Sequence, residues 1–94
     1  MRKRFRRRIQ YNFNDTYFKP RGKPLSTIEE VTLSDEELET LRLRYVKGFP
    51  QERASKEMGI SQSQYQRDIT KALEKITDAL IEGKAIKIEK RQDI

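Results

Sequence analysis

Apolar and polar positions change period along this chain, and each change marks an element. Ile9, Tyr11 and Phe13 alternate with Gln10, Asn12 and Asn14, which predicts a short strand with one apolar face. From Leu38 the apolar residues recur at helical spacing through Leu41, Tyr45 and Val46, which predicts a helix ending near Lys47, before Gly48. Ser34-Asp35-Glu36-Glu37 precedes it as a capping box, and its acids suit the positive end of the helix dipole. Phe49 and Pro50 open a two-turn helix over residues 51–58, with proline tolerated near the start. The longest pattern runs from Gln62 to Glu82, where Tyr65, Ile69, Ala72, Leu73, Ile76, Ala79 and Leu80 share one face. Ser61 is a good N-cap for this helix and Gly83 a natural stop. Ile86 and Ile88, on one side of residues 85–89, predict a second strand.

The segment before these helices is less regular. Tyr17-Phe18-Lys19-Pro20-Arg21-Gly22-Lys23-Pro24-Leu25 carries two prolines and a glycine, so it reads as an ordered extended loop. Residues 26–32 read as a helical turn running into a short extended piece. Tyr11, Phe13, Tyr17 and Phe18 can stack on single-stranded bases, but a chain this small needs them in its core, and that is the favoured reading.

Residues 51–69 are the most informative stretch. A short helix, a tight turn at Gly59 and the start of a second helix form the layout of a helix-turn-helix, which presents its second helix to the DNA major groove. Opposite the Tyr65/Ile69/Ile76 stripe lie Ser63, Gln64, Gln66, Arg67, Thr70 and Lys71. Glutamine pairs bidentately with adenine and arginine with guanine, while hydroxyls and helix N-terminal amides hold phosphates. Gln62, Ser63, Gln66 and Arg67 are therefore assigned near base edges and Lys71 to the backbone. An ordinary solvated helix face has the same composition. The Gly59-Ile60-Ser61 corner favours the DNA reading.

Charge adds a second constellation. The 94 residues carry a net +6, unevenly spread. Residues 1–25 hold nine Lys/Arg against one acid, and residues 26–94 hold twelve against fourteen. Arg2, Lys3, Arg4, Arg6, Arg7 and Arg8 form a basic arm expected to add salt-sensitive affinity through phosphates, and to reach into a minor groove. A solubilising tail, or a patch for RNA, has the same composition.

Other classes are disfavoured. With no cysteine and no histidine, there is no disulfide framework, no thiolate ligand and no imidazole base. No phosphate-binding glycine loop, nucleophile with a base, or metal-ligand spacing is present. The expectation is no enzyme activity, no cofactor and no metal. No apolar run follows the basic N-terminus, and none is long enough to span a bilayer, so the expected location is cytoplasmic, with no membrane partner.

Tyr17-Phe18-Lys19-Pro20, Pro24-Leu25, residues 33–43 and Ala79-Leu80-Ile81-Glu82-Gly83-Lys84-Ala85-Ile86 resemble a family of small, largely uncharacterised prokaryotic proteins. They are predicted to bind DNA through a helix-turn-helix like that of sigma-70 region 4. The resemblance covers about residues 17–88 and implies a mainly helical DNA-binding fold with a role in transcription. Two positions depart from the family pattern. Ser55 follows Ala54 where relatives commonly carry two alanines, so its hydroxyl needs a partner such as a carbonyl one turn back. Asp68 stands where an apolar residue is usual, and is expected to pair with a neighbouring base, Lys71 or Arg67. Some relatives carry a further C-terminal domain, which is not expected within these 94 residues.

The resulting expectation is a mainly α fold with a sigma-70 region 4-like helix-turn-helix of the winged-helix-like superfamily. Residues 1–16 form the basic arm and a short strand, residues 17–88 the DNA-binding domain and residues 89–94 a tail. The two short strands are candidates to pair with each other. The expected function is sequence-specific binding of double-stranded DNA as a transcriptional regulator. A homodimer would double the site read, with its interface beyond Leu73 or at the strands. The alternative is a protein-interaction module that contacts RNA polymerase through the acidic helix of residues 34–47, or RNA binding through the arm.

Overall fold

The computed structural model describes residues 8–11 and 16–90. Its elements are β1 (Thr16–Phe18), a 3-10 turn (Leu25–Thr27), β2 (Glu30–Ser34), α1 (Asp35–Leu41), α2 (Gln51–Met58), α3 (Gln62–Glu82) and β3 (Ala85–Glu89). The fold is mainly helical with a small three-stranded sheet.

Local chemistry sets the helix limits. Ser34 Oγ accepts from the Glu37 amide at 3.1 Å, and Glu37 Oε1 accepts from the Ser34 amide at 3.0 Å, so both donors at the start of α1 are satisfied as the capping box predicts. Lys75 of α3 donates to the same Glu37 oxygen at 3.0 Å and to the Thr32 carbonyl at 2.8 Å. That side chain pins α3 to the junction of β2 and α1. Beyond Leu41 the helix relaxes into a π turn over Arg42–Val46, closed by the Lys47 amide on the Arg42 carbonyl at 2.9 Å.

The π turn corrects the expected apolar stripe. Its wider i→i+5 closure inserts a residue into the helical register. Leu43 therefore enters the core at 1% exposure, while Tyr45 and Val46 turn outward. In α3, Tyr65, Ile69, Ala72 and Ala79 are buried as predicted, but Leu73 is 39% and Leu80 72% exposed. Leu73 and Leu80 each follow a buried alanine, Ala72 and Ala79, by one residue, which turns them about 100° from the face that packs on the body.

The sheet also differs from expectation. Its order is β1-β3-β2, with β1 antiparallel and β2 parallel to the central β3. Thr16 pairs with Ile88, Phe18 with Ile86, Val31 with Ile86 and Leu33 with Ile88. The parallel pairing needs a crossover, which α1, α2 and α3 provide. Residues 9–11 are not strand, and Phe13 lies outside the described residues. The first strand lies at Thr16–Phe18, at the start of the predicted loop, where β3 offers an edge to pair with. The extended end of residues 26–32 is the start of β2. Tyr11, Tyr17 and Phe18 are exposed rather than core, because Leu43, Met58, Tyr65 and Leu33 already fill the interior. Tyr17 instead donates from its hydroxyl to Glu30 Oε2 at 2.8 Å.

Candidate nucleic-acid interface

The α2–α3 corner is built by its own sequence. Gly59 adopts φ +71, the left-handed conformation that glycine favours at a helix end. Its amide donates to the Lys56 carbonyl and the Ile60 amide to the Ser55 carbonyl, both at 3.1 Å. These two bonds are a Schellman motif, and Ile60 supplies the apolar contact that accompanies it by packing on the core. Ser61 then caps α3 by accepting from the Gln64 amide at 3.1 Å. Gln51 Nε2 donates to the Gln62 carbonyl at 3.3 Å, which ties the start of α2 to the start of α3.

Beneath the corner, Leu43, Ala54, Met58, Tyr65 and Ile69 form one buried cluster with Leu41, Phe49 and Ile60 at its margin. Ala54, Met58 and Tyr65 are fully buried. The Tyr65 hydroxyl donates to the Thr40 carbonyl. Burial first of all raises its pKa to about 12, from an ordinary 10.0. Ser55, 2% exposed, donates its hydroxyl to the Glu52 carbonyl at 2.9 Å. That is the bond expected of a serine in this tight contact.

The predicted base-reading residues lie together on the first half of α3. Gln62, Ser63, Gln66, Arg67, Thr70 and Lys71 are exposed, and Gln64 is half-buried. They are partly knitted to one another. Gln66 Nε2 donates to Thr70 Oγ1 at 3.1 Å, Arg67 to Gln64 Oε1 at 2.9 Å, and Gln64 Nε2 to Asp68 Oδ1 at 2.8 Å. Asp68 accepts from Gln64, whose own oxygen accepts from Arg67, so that amide links the carboxylate to one of the two bases expected beside it.

Of the predicted arm, Arg2, Lys3, Arg4, Arg6 and Arg7 lie outside the described residues. Arg8 is placed. Its amide donates to the Met58 carbonyl at 3.0 Å and its guanidinium to the Lys56 carbonyl at 2.9 Å. Both acceptors lie at the carbonyl end of α2, where a cation is favoured. Arg8, Lys56, Gly59, Ile60, Ser61 and Gln64 line a shallow pocket of about 670 Å³. Lys56 was missed in the sequence. It sits on the last turn of α2, and the signal was a cation one turn before the corner glycine.

The acidic helix offers less to a protein partner than its composition suggests. Asp35 and Glu39 are buried, and Glu37 is engaged by Lys75. Glu39 is bound twice by Arg42, Nε to Oε1 at 2.8 Å and NH2 to Oε2 at 3.0 Å. That bond raises the Arg42 pKa above its ordinary value. Among the described residues, no helix is long and apolar enough to cross a membrane.

Comparison with known proteins places the chain in a family. It is similar to UPF0251 proteins of Caldanaerobacter subterraneus (51% identical, covering 81% of this chain and 64% of the relative), Halothermothrix orenii (47%, covering 88% and 62%) and Methanosarcina acetivorans (45%, covering 95% and 54%). The chain thus spans between about half and two thirds of the length of these relatives. No solved structure matches it. A family model matches residues 1–93, nearly the whole chain, and the chain belongs to that family, described as "Protein of unknown function DUF134".

Proposed function

We propose that this chain is a sequence-specific DNA-binding protein that acts as a transcriptional regulator, using a sigma-70 region 4-like helix-turn-helix formed by α2 and α3. One observation carries the reading. The first half of α3 is fixed from behind by buried Tyr65 and Ile69, and presents Gln62, Ser63, Gln66, Arg67, Thr70 and Lys71 to solvent. A rigid helix with hydrogen-bonding side chains on its outer face is what the major groove admits and reads. The N-terminal amides of α3, with Ser61, Lys56 and Arg8 around them, suit a backbone phosphate. Arg67 and Gln66 supply discrimination, while Lys71 and the arm supply charge.

The test is selection of bound sequences from random duplex DNA at physiological salt, followed by Arg67→Ala on the selected site. Direct readout predicts an enriched motif, two-fold symmetric if the exposed Leu73, Leu80 and Ile81 join two copies. It also predicts a loss of about 1–3 kcal/mol with relaxed preference at one position. No enrichment, together with unchanged affinity for Arg67→Ala, refutes it. RNA binding through the arm predicts that removing residues 2–8 matters far more than Arg67.

A further inference from the structure

Residues 8–11 are fastened to the helices at more points than a passing loop needs, and the strongest fastening is a buried charge. Glu39 is 0% exposed. Besides its two bonds from Arg42, its Oε2 accepts from the Gln10 backbone amide at 3.1 Å. Gln10 Nε2 donates to Glu57 Oε1 on α2 at 2.8 Å, and the Arg42 guanidinium lies 5.2 Å from the centre of the Tyr11 ring. Arg8 holds the end of α2 through the two bonds already described. The segment therefore bridges α1 and α2 and stops at the corner that leads into α3.

An ion pair with one partner fully buried is a poor way to gain stability. Its desolvation cost rivals its attraction, and apolar residues of similar size often serve as well or better. Leu or Met could fill the place of Glu39. Neither could accept from the Gln10 amide.

We propose that Glu39 is a positioning residue for DNA binding: with Arg42 it holds Gln10 on α1 and thereby keeps Arg8 seated at the α2–α3 corner, so that arm and recognition helix meet one duplex as a unit. This rests on the DNA-binding reading above. Its magnitude follows from tether length. With Arg8 anchored, the cations at positions 2–7 lie between one and six residues from a fixed point. Losing Glu39 and Arg42 leaves the Arg8 bonds to Lys56 and Met58 and the Gln10–Glu57 bond in place; only if these open as well is the next described anchor Thr16 in β1, nine to fourteen residues from the same cations. Effective concentration falls roughly as the −3/2 power of tether length, so about sixfold is the ceiling on the drop in the arm's contribution.

The test uses the double substitution Glu39→Met with Arg42→Met, which removes both charges and keeps the space filled. Duplex affinity is measured across a salt series in the full chain and in a chain lacking residues 2–7. The clamp predicts binding weaker by about two- to sixfold and a shallower salt slope in the full chain, and less than a twofold change in the truncated one. Equal losses in both backgrounds mean a merely structural role and overturn the proposal. A second readout needs no DNA. Trypsin cleavage after Arg8, taken relative to cleavage after Lys71 in the packed α3, should accelerate severalfold in the variant. If the unaltered chain binds no duplex, the DNA reading fails, and the cleavage ratio still decides whether the clamp exists. If the double variant does not fold, Tyr11→Ala with Glu57→Ala loosens the root by removing the ring contact and the Gln10 acceptor, and is put through both measurements. A cleavage ratio that no folded variant changes overturns the clamp.

Discussion

Gly59→Ala tests the corner and the arm root together. Gly59 has φ +71, and a Cβ added there would lie 2.9 Å from both Nε and NH2 of Arg8. An L-residue in this conformation costs roughly 1–2 kcal/mol. The guanidinium is the flexible end of a long side chain and can move away, but only by releasing the Lys56 carbonyl, which adds roughly 1 kcal/mol. The expected total is about 2–3 kcal/mol, or a fall in Tm of roughly 10–20 °C for a domain of this size. Gly48→Ala is the control. Gly48 has φ +75 with nothing within 4 Å of the added Cβ, so it should lose only the backbone share, about 1–2 kcal/mol. Urea unfolding of Gly59→Ala with and without Arg8→Ala isolates the contact. A coupling energy near 1 kcal/mol is expected, and one below about 0.3 kcal/mol would show that Arg8 does not rest on the corner.

Two further outcomes follow from the core. Tyr65 should make stability depend on alkaline pH. Its raised pKa means the folded state keeps the phenol proton longer than the unfolded chain, so the contribution is intact below pH 10 and is lost between about pH 10 and 12. Tyr65→Phe should remove most of that slope, roughly 2–3 kcal/mol in full, while costing about 1–2 kcal/mol at pH 7 by leaving the Thr40 carbonyl unpaired; equal alkaline slopes for the two proteins in urea titrations contradict the assignment. Ser55→Ala removes a hydroxyl that bonds only its own helix and installs the best helix former, so stability should hold or rise by up to about 0.5 kcal/mol. A loss above 1 kcal/mol in the same assay means the hydroxyl has a role beyond the Glu52 carbonyl.

The parts legible in the sequence were those set by neighbours along the chain. Ser34 with Glu37, Ser61 before α3, and the stops at Gly48, Gly59 and Gly83 each act within a turn or two, and their residues name the geometry. The exposed row from Gln62 to Lys71 was legible for the same reason, since helical period alone puts it opposite Tyr65 and Ile69. What depends on distant partners was not. Nothing in Thr16-Tyr17-Phe18 says that β3 lies alongside, and alternation at Ile9, Tyr11 and Phe13 imitated a strand in its place. The outward turn of Tyr45 and Val46 follows from a π closure that has no residue signature. Burial of Glu39 was hidden because a carboxylate three residues before an arginine is normally a surface pair on a helix. The further partner of Glu39, the Gln10 amide, comes from 29 residues away along the chain.

The parallel pairing of β2 with β3 also governs the order of assembly. Glu30 and Ala85 are partners across some 55 residues, and the backbone of β1 pairs with β3 and not with β2. Neither outer strand has a partner until β3 arrives, whereas the α2–α3 corner can close from local contacts alone. Non-local closure of this kind is slow relative to helix pairing. During synthesis the helices would therefore be in place while β2 still presented two bare edges, and residues 85–89 would act as the latch that covers one edge of each outer strand and halves what is open to edge-to-edge association.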